Sequence, residues 1–218
     1  MAKKKIYVSP SSQTDNRYAA GNTTEANQCR KIAAALVNAL ERCGFAAVTN
    51  LSGDMYKRVA ESNKWGADLH LPIHTNAHNK KVMGTRLFSY DKKGEGYKAC
   101  QAIMDALAPI TPGTSDSITP NGSLYEIKKT HAPVSYIEVA FHDNVREAQW
   151  IIDNTQAIAE AICMGVCKYF GTAYTVPDAM LYCVQLGAFS NLEKAKGLQQ
   201  RLTDAGFSES FIREVPRE

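Results

Sequence analysis

Short apolar runs alternate along this chain with longer stretches in which apolar residues return every three or four positions. Lys4 to Val8, Phe45 to Thr49, Leu69 to His74, Gly84 to Tyr90, Ser123 to Lys128 and Val134 to Phe141 read as strands. Thr24 caps a long helix with Ile32, Leu36, Val37 and Leu40 on one side, ending near Gly44. Helices are also predicted over Met55 to Trp65, Gly94 to Leu107, and Glu147 to Phe170 with a break near Asn154. Strand and helix in alternation predict an α/β fold, a mixed and mostly parallel sheet covered by helices on both faces.

The pattern breaks at Gly171 to Ala179, Gly-Thr-Ala-Tyr-Thr-Val-Pro-Asp-Ala. Beyond it, Met180 to Leu186 reads as a strand, Leu192 to Ala205 as a helix and Phe211 to Val215 as a strand. The expected organisation is therefore a main domain over 1–171, a linker over 172–179 and a small C-terminal β-α-β unit over 180–218. Such a unit is too small to bury a core of its own. It must dock, pair with a copy of itself, or be a fragment.

Two of the apolar runs carry chemistry. Asp68-Leu69-His70-Leu71-Pro72-Ile73-His74-Thr75-Asn76-Ala77 puts His74 where a strand gives way to a polar loop, a common place for a catalytic or ligand group in an α/β sheet. Tyr136-Ile137-Glu138-Val139-Ala140 puts a carboxylate in the middle of an otherwise apolar strand, which is costly unless a cation or a proton meets it. A histidine and a buried glutamate on neighbouring strands would make a metal-assisted hydrolase site. By period two, His70 shares a strand face with His74, and His142 one with Glu138.

Composition narrows the classes. A hydrophobic content of 44% in 218 residues supports a packed core rather than disorder. A net charge of +3 suits approach to an anionic polymer such as a bacterial wall, but is too weak to argue for nucleic acid. No apolar run approaches the ~20 residues of a membrane span, so no membrane insertion is expected. The basic start turns polar at Ser9 without the hydrophobic segment of an export signal. Synthesis in a bacterial cytoplasm and action after release are therefore expected. The six cysteines, Cys29, Cys43, Cys100, Cys163, Cys167 and Cys183, read as buried reduced thiols. Cys163 and Cys167 share a helix face, but no other ligand type stands near them in sequence.

Glu25, Pro72 to Ala77, and Tyr136-Ile137-Glu138-Val139-Ala140-Phe141-His142-Asp143-Asn144 together resemble the zinc-dependent N-acetylmuramoyl-L-alanine amidases of the Amidase_3 family, over about residues 3–171. The resemblance implies hydrolysis of the amide between muramic acid and L-alanine in peptidoglycan, with Zn2+ as cofactor. It also implies Glu25 and His74 as metal ligands and Glu138 as the catalytic acid and base. That family places its first ligand histidine in a loop after the first strand. Here the loop is Ser9-Pro10-Ser11-Ser12-Gln13-Thr14-Asp15-Asn16, with Ser12 in the histidine position. A serine hydroxyl is a poor zinc ligand. Gln13 and His142 are candidates for the third, with Asp15 a further oxygen donor in the loop and His70 the other histidine that could substitute in space. Tyr182 to Ser190 and the helix after it are similar to the opening half of a SPOR peptidoglycan-binding domain. Two such halves matched across a two-fold homodimer would rebuild a whole one. The expected role is a phage or prophage endolysin. The alternative is a non-catalytic wall-binding module with a degenerate metal site.

Overall fold

A computed structural model describes residues 2–177, 186–207 and 210–212. The chain divides into two compact units, Met1–Pro177 and Asp178–Glu218. In the first, β1 (Lys5–Pro10), β2 (Ala46–Thr49), β3 (Leu69–Asn76), β4 (Arg86–Ser89), β5 (Ser117–Pro120) and β6 (Tyr136–Phe141) form one sheet. Its order is β2-β1-β3-β6-β4-β5. Every pairing is parallel except β4 with β6. The helices are α1 (Glu25–Arg42), α2 (Met55–Trp65), α3 (Glu95–Leu107), α4 (Tyr125–Lys129), α5 (Val145–Asp153) and α6 (Thr155–Phe170).

Local signals explain most boundaries. Thr24 accepts a hydrogen bond from the Asn27 N–H and starts α1. Asp54 does the same for α2. Gly66 ends α2 in the left-handed region at φ 68°, returning its N–H to Ser62 and Asn63. The helical stretch that ends at Phe170 is indeed broken at Asn154, between α5 and α6.

The two faces of the sheet differ. Ile6, Val8, Leu69, Leu71, Ile73, Leu87, Ile137 and Val139 point to one side and form the main core with α1, α3 and α6. The alternate positions point to the other side, and they are polar or aromatic: Tyr7, Ser9, His70, His74 and Tyr136. This second face meets α2 and α4. A hydrophobic strand sequence therefore hides a polar layer, because period two sends every other side chain across the sheet.

The segment Ser123 to Lys128, expected as a strand, is instead the short helix α4 with its preceding turn. Asn121 accepts from the Ser123 N–H and hydroxyl and opens the turn, while Ile127 packs with Val134 and Tyr136. The edge strand is β5 instead, only four residues and ending in a proline, as edge strands tolerate. In the second unit, α7 runs over Leu192–Asp204, capped by Asn191. The strand predicted over Met180 to Leu186 lies, apart from Leu186, outside the described residues. So does that over Phe211 to Val215 beyond Ile212.

Candidate active site

The strand order reverses between β1 and β3, since the chain leaves β1 toward β2 on one side and returns to β3 on the other. Ligands of α/β sheets gather at such a point, outside the carboxyl ends of the strands. His74 stands there, near the end of β3, and the loop Ser11–Asn16 follows β1 beside it. That loop holds the start of α1 in place: the Glu25 N–H donates to the Asn16 carbonyl and the Ala26 N–H to that of Gln13. The first helical residue, Glu25, is thereby aimed at His74.

Glu25 Oε1 and His74 Nδ1 are 2.8 Å apart, both residues buried. Asn16 Nδ2 donates to Glu25 Oε2 at 2.6 Å and fixes the carboxylate. Gln13 brings its side-chain amide to 3.5 Å from the same His74 nitrogen and accepts from Asn16 through Oε1. Glu138 sits opposite His74 in the parallel register of β3 and β6, on the same face. Its Oε2 is withdrawn from solvent with no hydrogen-bond partner among the described residues. Tyr136 stacks on the His74 ring, centroids 4.6 Å apart.

A residue absent from the sequence reading completes the group. Glu126 of α4 places Oε2 3.7 Å from His74 Nε2 and Oε1 3.2 Å from His70 Nε2. Ser9 donates to the same Oε1, and the buried Arg58 donates from Nε to Ser9 Oγ at 3.1 Å. His70 Nδ1 is met by Ser62 Oγ at 3.0 Å, and its ring stacks on Tyr7. Because the strand expected over 123–128 is a helix, Glu126 turns toward the sheet. The one sequence signal was a lone acid between Leu124 and Ile127.

Electrostatics follow from this crowding. Burial disfavours the charged His74, but the carboxylates of Glu126 and Glu25 outweigh it and lift its pKa to about 9. Burial would raise Glu126, yet His70 and His74 hold it down to about 2. Burial also opposes the charge on Glu25, and the bonds from His74 and Asn16 bring it below the ordinary carboxylate value. Glu138 behaves oppositely: burial raises it to about 7, with His74 opposing and Glu25 adding.

The structure brings together Glu25, His74, Gln13 and Glu138, and leaves His142 elsewhere. His142 Nδ1 faces the Thr75 carbonyl at 2.9 Å and the Thr75 hydroxyl at 3.0 Å, and its ring stacks on Tyr18. The expectation that His142 shares the face of Glu138 fails for a definite reason. The register of β3 and β6 shifts between His74–Glu138 and Asn76–Phe141, so β6 carries an extra residue there. A bulge of one residue turns everything after it to the opposite face. His70, by contrast, does share the face of His74, but reaches it only through Glu126.

A carboxylate and an imidazole nitrogen in contact, beside an unpaired buried carboxylate, are the donor types and the proton acceptor of a hydrolytic zinc centre. The profile of the Amidase_3 family, described as N-acetylmuramoyl-L-alanine amidase, matches residues 6–168. That of the SPOR domain matches residues 180–216. The chain is 26% identical to the N-acetylmuramoyl-L-alanine amidase CwlM of Bacillus licheniformis, covering 95% of this chain and 84% of that one. It is 25% identical to an uncharacterised 38.4 kDa protein of Clostridium perfringens, of which it spans 47% of the length and which covers 69% of this chain. Its fold is similar to that of the catalytic domain of CwlV, an N-acetylmuramoyl-L-alanine amidase from Bacillus (Paenibacillus) polymyxa var. colistinus. There the TM-score is 0.70 at 15% identity, over 78% of this chain and 99% of that domain. With three quarters of its length matched by the family profile, the chain belongs to the Amidase_3 family of N-acetylmuramoyl-L-alanine amidases.

Proposed function

We propose that this chain is a zinc-dependent amidase that cleaves the bond between N-acetylmuramic acid and L-alanine in peptidoglycan. The observation that carries the reading is the 2.8 Å contact between Glu25 Oε1 and His74 Nδ1 beside the partnerless Glu138 Oε2. Glu25 and His74 would hold the metal, with Gln13 as the third protein donor. When bound, zinc polarises the scissile carbonyl and acidifies a water molecule.

The remaining work falls to the side chains. Glu138, raised to about 7, is poised to take a proton at Oε2 near neutral pH and to return it to the leaving amine. Glu126 holds His74 from Nε2 and leaves Nδ1 facing Glu25. A carboxylate behind a ligand histidine fixes the ring and strengthens it as a donor. Asn16 keeps the Glu25 carboxylate from swinging away.

We further read the 180–216 match as a wall-binding segment, pairing through a homodimer, and the whole as an endolysin acting on the wall after release. The second reading, a non-catalytic wall-binding module, is favoured by Ser12 in the position of the family's loop histidine.

Purified chain incubated with zinc and cell-wall sacculi separates the two. Release of new L-alanine amino ends, abolished by a chelator and restored by zinc, is expected. Wall binding without such ends would establish the second reading, and other new amino termini would assign a different amide.

A further inference from the structure

A second donor cluster lies in the main domain, formed by residues far apart in sequence. Cys43 follows the last residue of α1, and Cys163 and Cys167 stand one turn apart on α6. Their three sulfurs lie within 4.8 Å of one another, and Cys43 Sγ is 3.6 Å from Cys163 Sγ. All three residues are buried, and all three are free thiols. Thiolates bound to one tetrahedral zinc at about 2.3 Å sit about 3.8 Å from each other, so the sulfurs need little rearrangement.

The surroundings suit a cation. The cluster lies where α1 ends and beside the last turn of α6, and helix C-termini carry partial negative charge. The Thr175 backbone lies against Cys43. Its N–H donates to Cys43 Sγ at 3.4 Å and its carbonyl oxygen is 3.7 Å from the same sulfur. Arg42 donates from Nε to that carbonyl at 2.9 Å, and its charge is paired with the Glu160 carboxylate. Without a metal, burial raises the Cys163 thiol and pushes that of Cys167 up to about 12.

We propose that Cys43, Cys163 and Cys167 form a structural three-thiolate site for a thiophilic divalent ion such as zinc. On binding, each S–H gives up its proton to solvent and three sulfur–metal bonds form. No redox change is involved. The site ties the segment that leaves α6 to the end of α1, and is separate from the His74 centre.

The test is a cadmium titration of the reduced, metal-free, full-length wild-type chain. We expect a thiolate-to-cadmium charge-transfer absorption that saturates at one thiolate-bound ion per chain. Nitrogen and oxygen ligands at the His74 centre give no such band, so the result is independent of the proposed amidase site. Cys43→Ser, Cys163→Ser and Cys167→Ser should each weaken or lose the band, while Cys29→Ser, Cys100→Ser and Cys183→Ser keep it. X-ray absorption on the zinc-loaded wild type, which requires no variant to fold, should show a population with three sulfurs at about 2.3 Å. A missing band, a band that survives Cys43→Ser intact, a sulfur-free zinc shell, or a Cys43–Cys163 disulfide in the metal-loaded chain would each overturn the proposal.

Discussion

Glu126 Oε2 lies 3.7 Å from His74 Nε2, on the side of the ring opposite the Glu25 carboxylate. The imidazole is thus held between two acids from different helices, one at each nitrogen. Only one of them can share a metal with His74. Glu25 is fixed by Asn16 at the open end of the strands, whereas Glu126 is committed to His70 and Ser9 deeper in the face. On the proposed reading those partners would divide the labour, with Glu25 on the metal and Glu126 behind the ligand.

Glu126→Gln tests that division. The amide keeps the volume but cannot support the ring with a full negative charge. Zinc affinity, measured by competition with a chromophoric chelator, should fall about 10- to 100-fold. The circular dichroism spectrum should be retained. An affinity equal to wild type would remove Glu126 from the centre.

Glu138→Gln separates binding from chemistry. Its carboxylate has no hydrogen-bond partner to lose at Oε2, so the fold should tolerate the change. Hydrolysis should drop by at least about 100-fold, the range for a lost general acid or base. Zinc content should stay at the wild-type level. Retained hydrolysis would show that another group moves the proton.

Three groups of the site, each with a large shift, shape the pH dependence of stability in the chelated protein. The folded pKa of Glu126, about 2, lies below its ordinary 4.5, so it contributes stability above that value that is lost as pH falls toward 2. The folded pKa of His74, about 9, lies above 6.5, so its contribution is complete below 6.5 and disappears as pH rises through 9. Glu138 is an acid raised from 4.5 to about 7, so ionising it imposes a cost that begins above 4.5 and is fully developed above 7. Urea midpoints should therefore be highest near pH 5 and fall toward both ends. Glu138→Gln should remove the part of the fall between about 4.5 and 7, on the order of 3 kcal/mol. A midpoint that rises from pH 5 to pH 9 in wild type would contradict the charge assignments.

The parts of this architecture that were legible in sequence share one property: their signal is local. The cap at Thr24, the apolar runs of β3 and β6 and the break at Asn154 all announce themselves within a few residues. Glu25, His74 and Glu138 were legible through their motif context. What escaped depends on partners far along the chain. The segment around Glu126 is too short for its pattern to separate strand from helix, and Leu124 and Ile127, three apart, pack together with Val134 and Tyr136 as helical spacing allows. His142 was assigned a face by counting in twos, which a single bulge inverts. Cys43 joins Cys163 across 120 positions, so no spacing rule could have paired them.

Gly165 offers a control that should leave the chemistry alone. It sits in the middle of α6 where that helix crosses α3, and a Cβ at this position would collide with the backbone of Ile103. Glycine is unfavourable inside a helix by about 1 kcal/mol relative to alanine, so propensity by itself predicts that Gly165→Ala stabilises. The close approach predicts the reverse, because the two helices would have to part, and overpacking of this kind costs about 1–3 kcal/mol. The second effect is the larger, and the urea midpoint should fall. Zinc affinity at the His74 centre should be unchanged, since that centre lies on the face of the sheet away from α6. A rise in stability would mean that α3 and α6 cross less tightly than their backbones indicate.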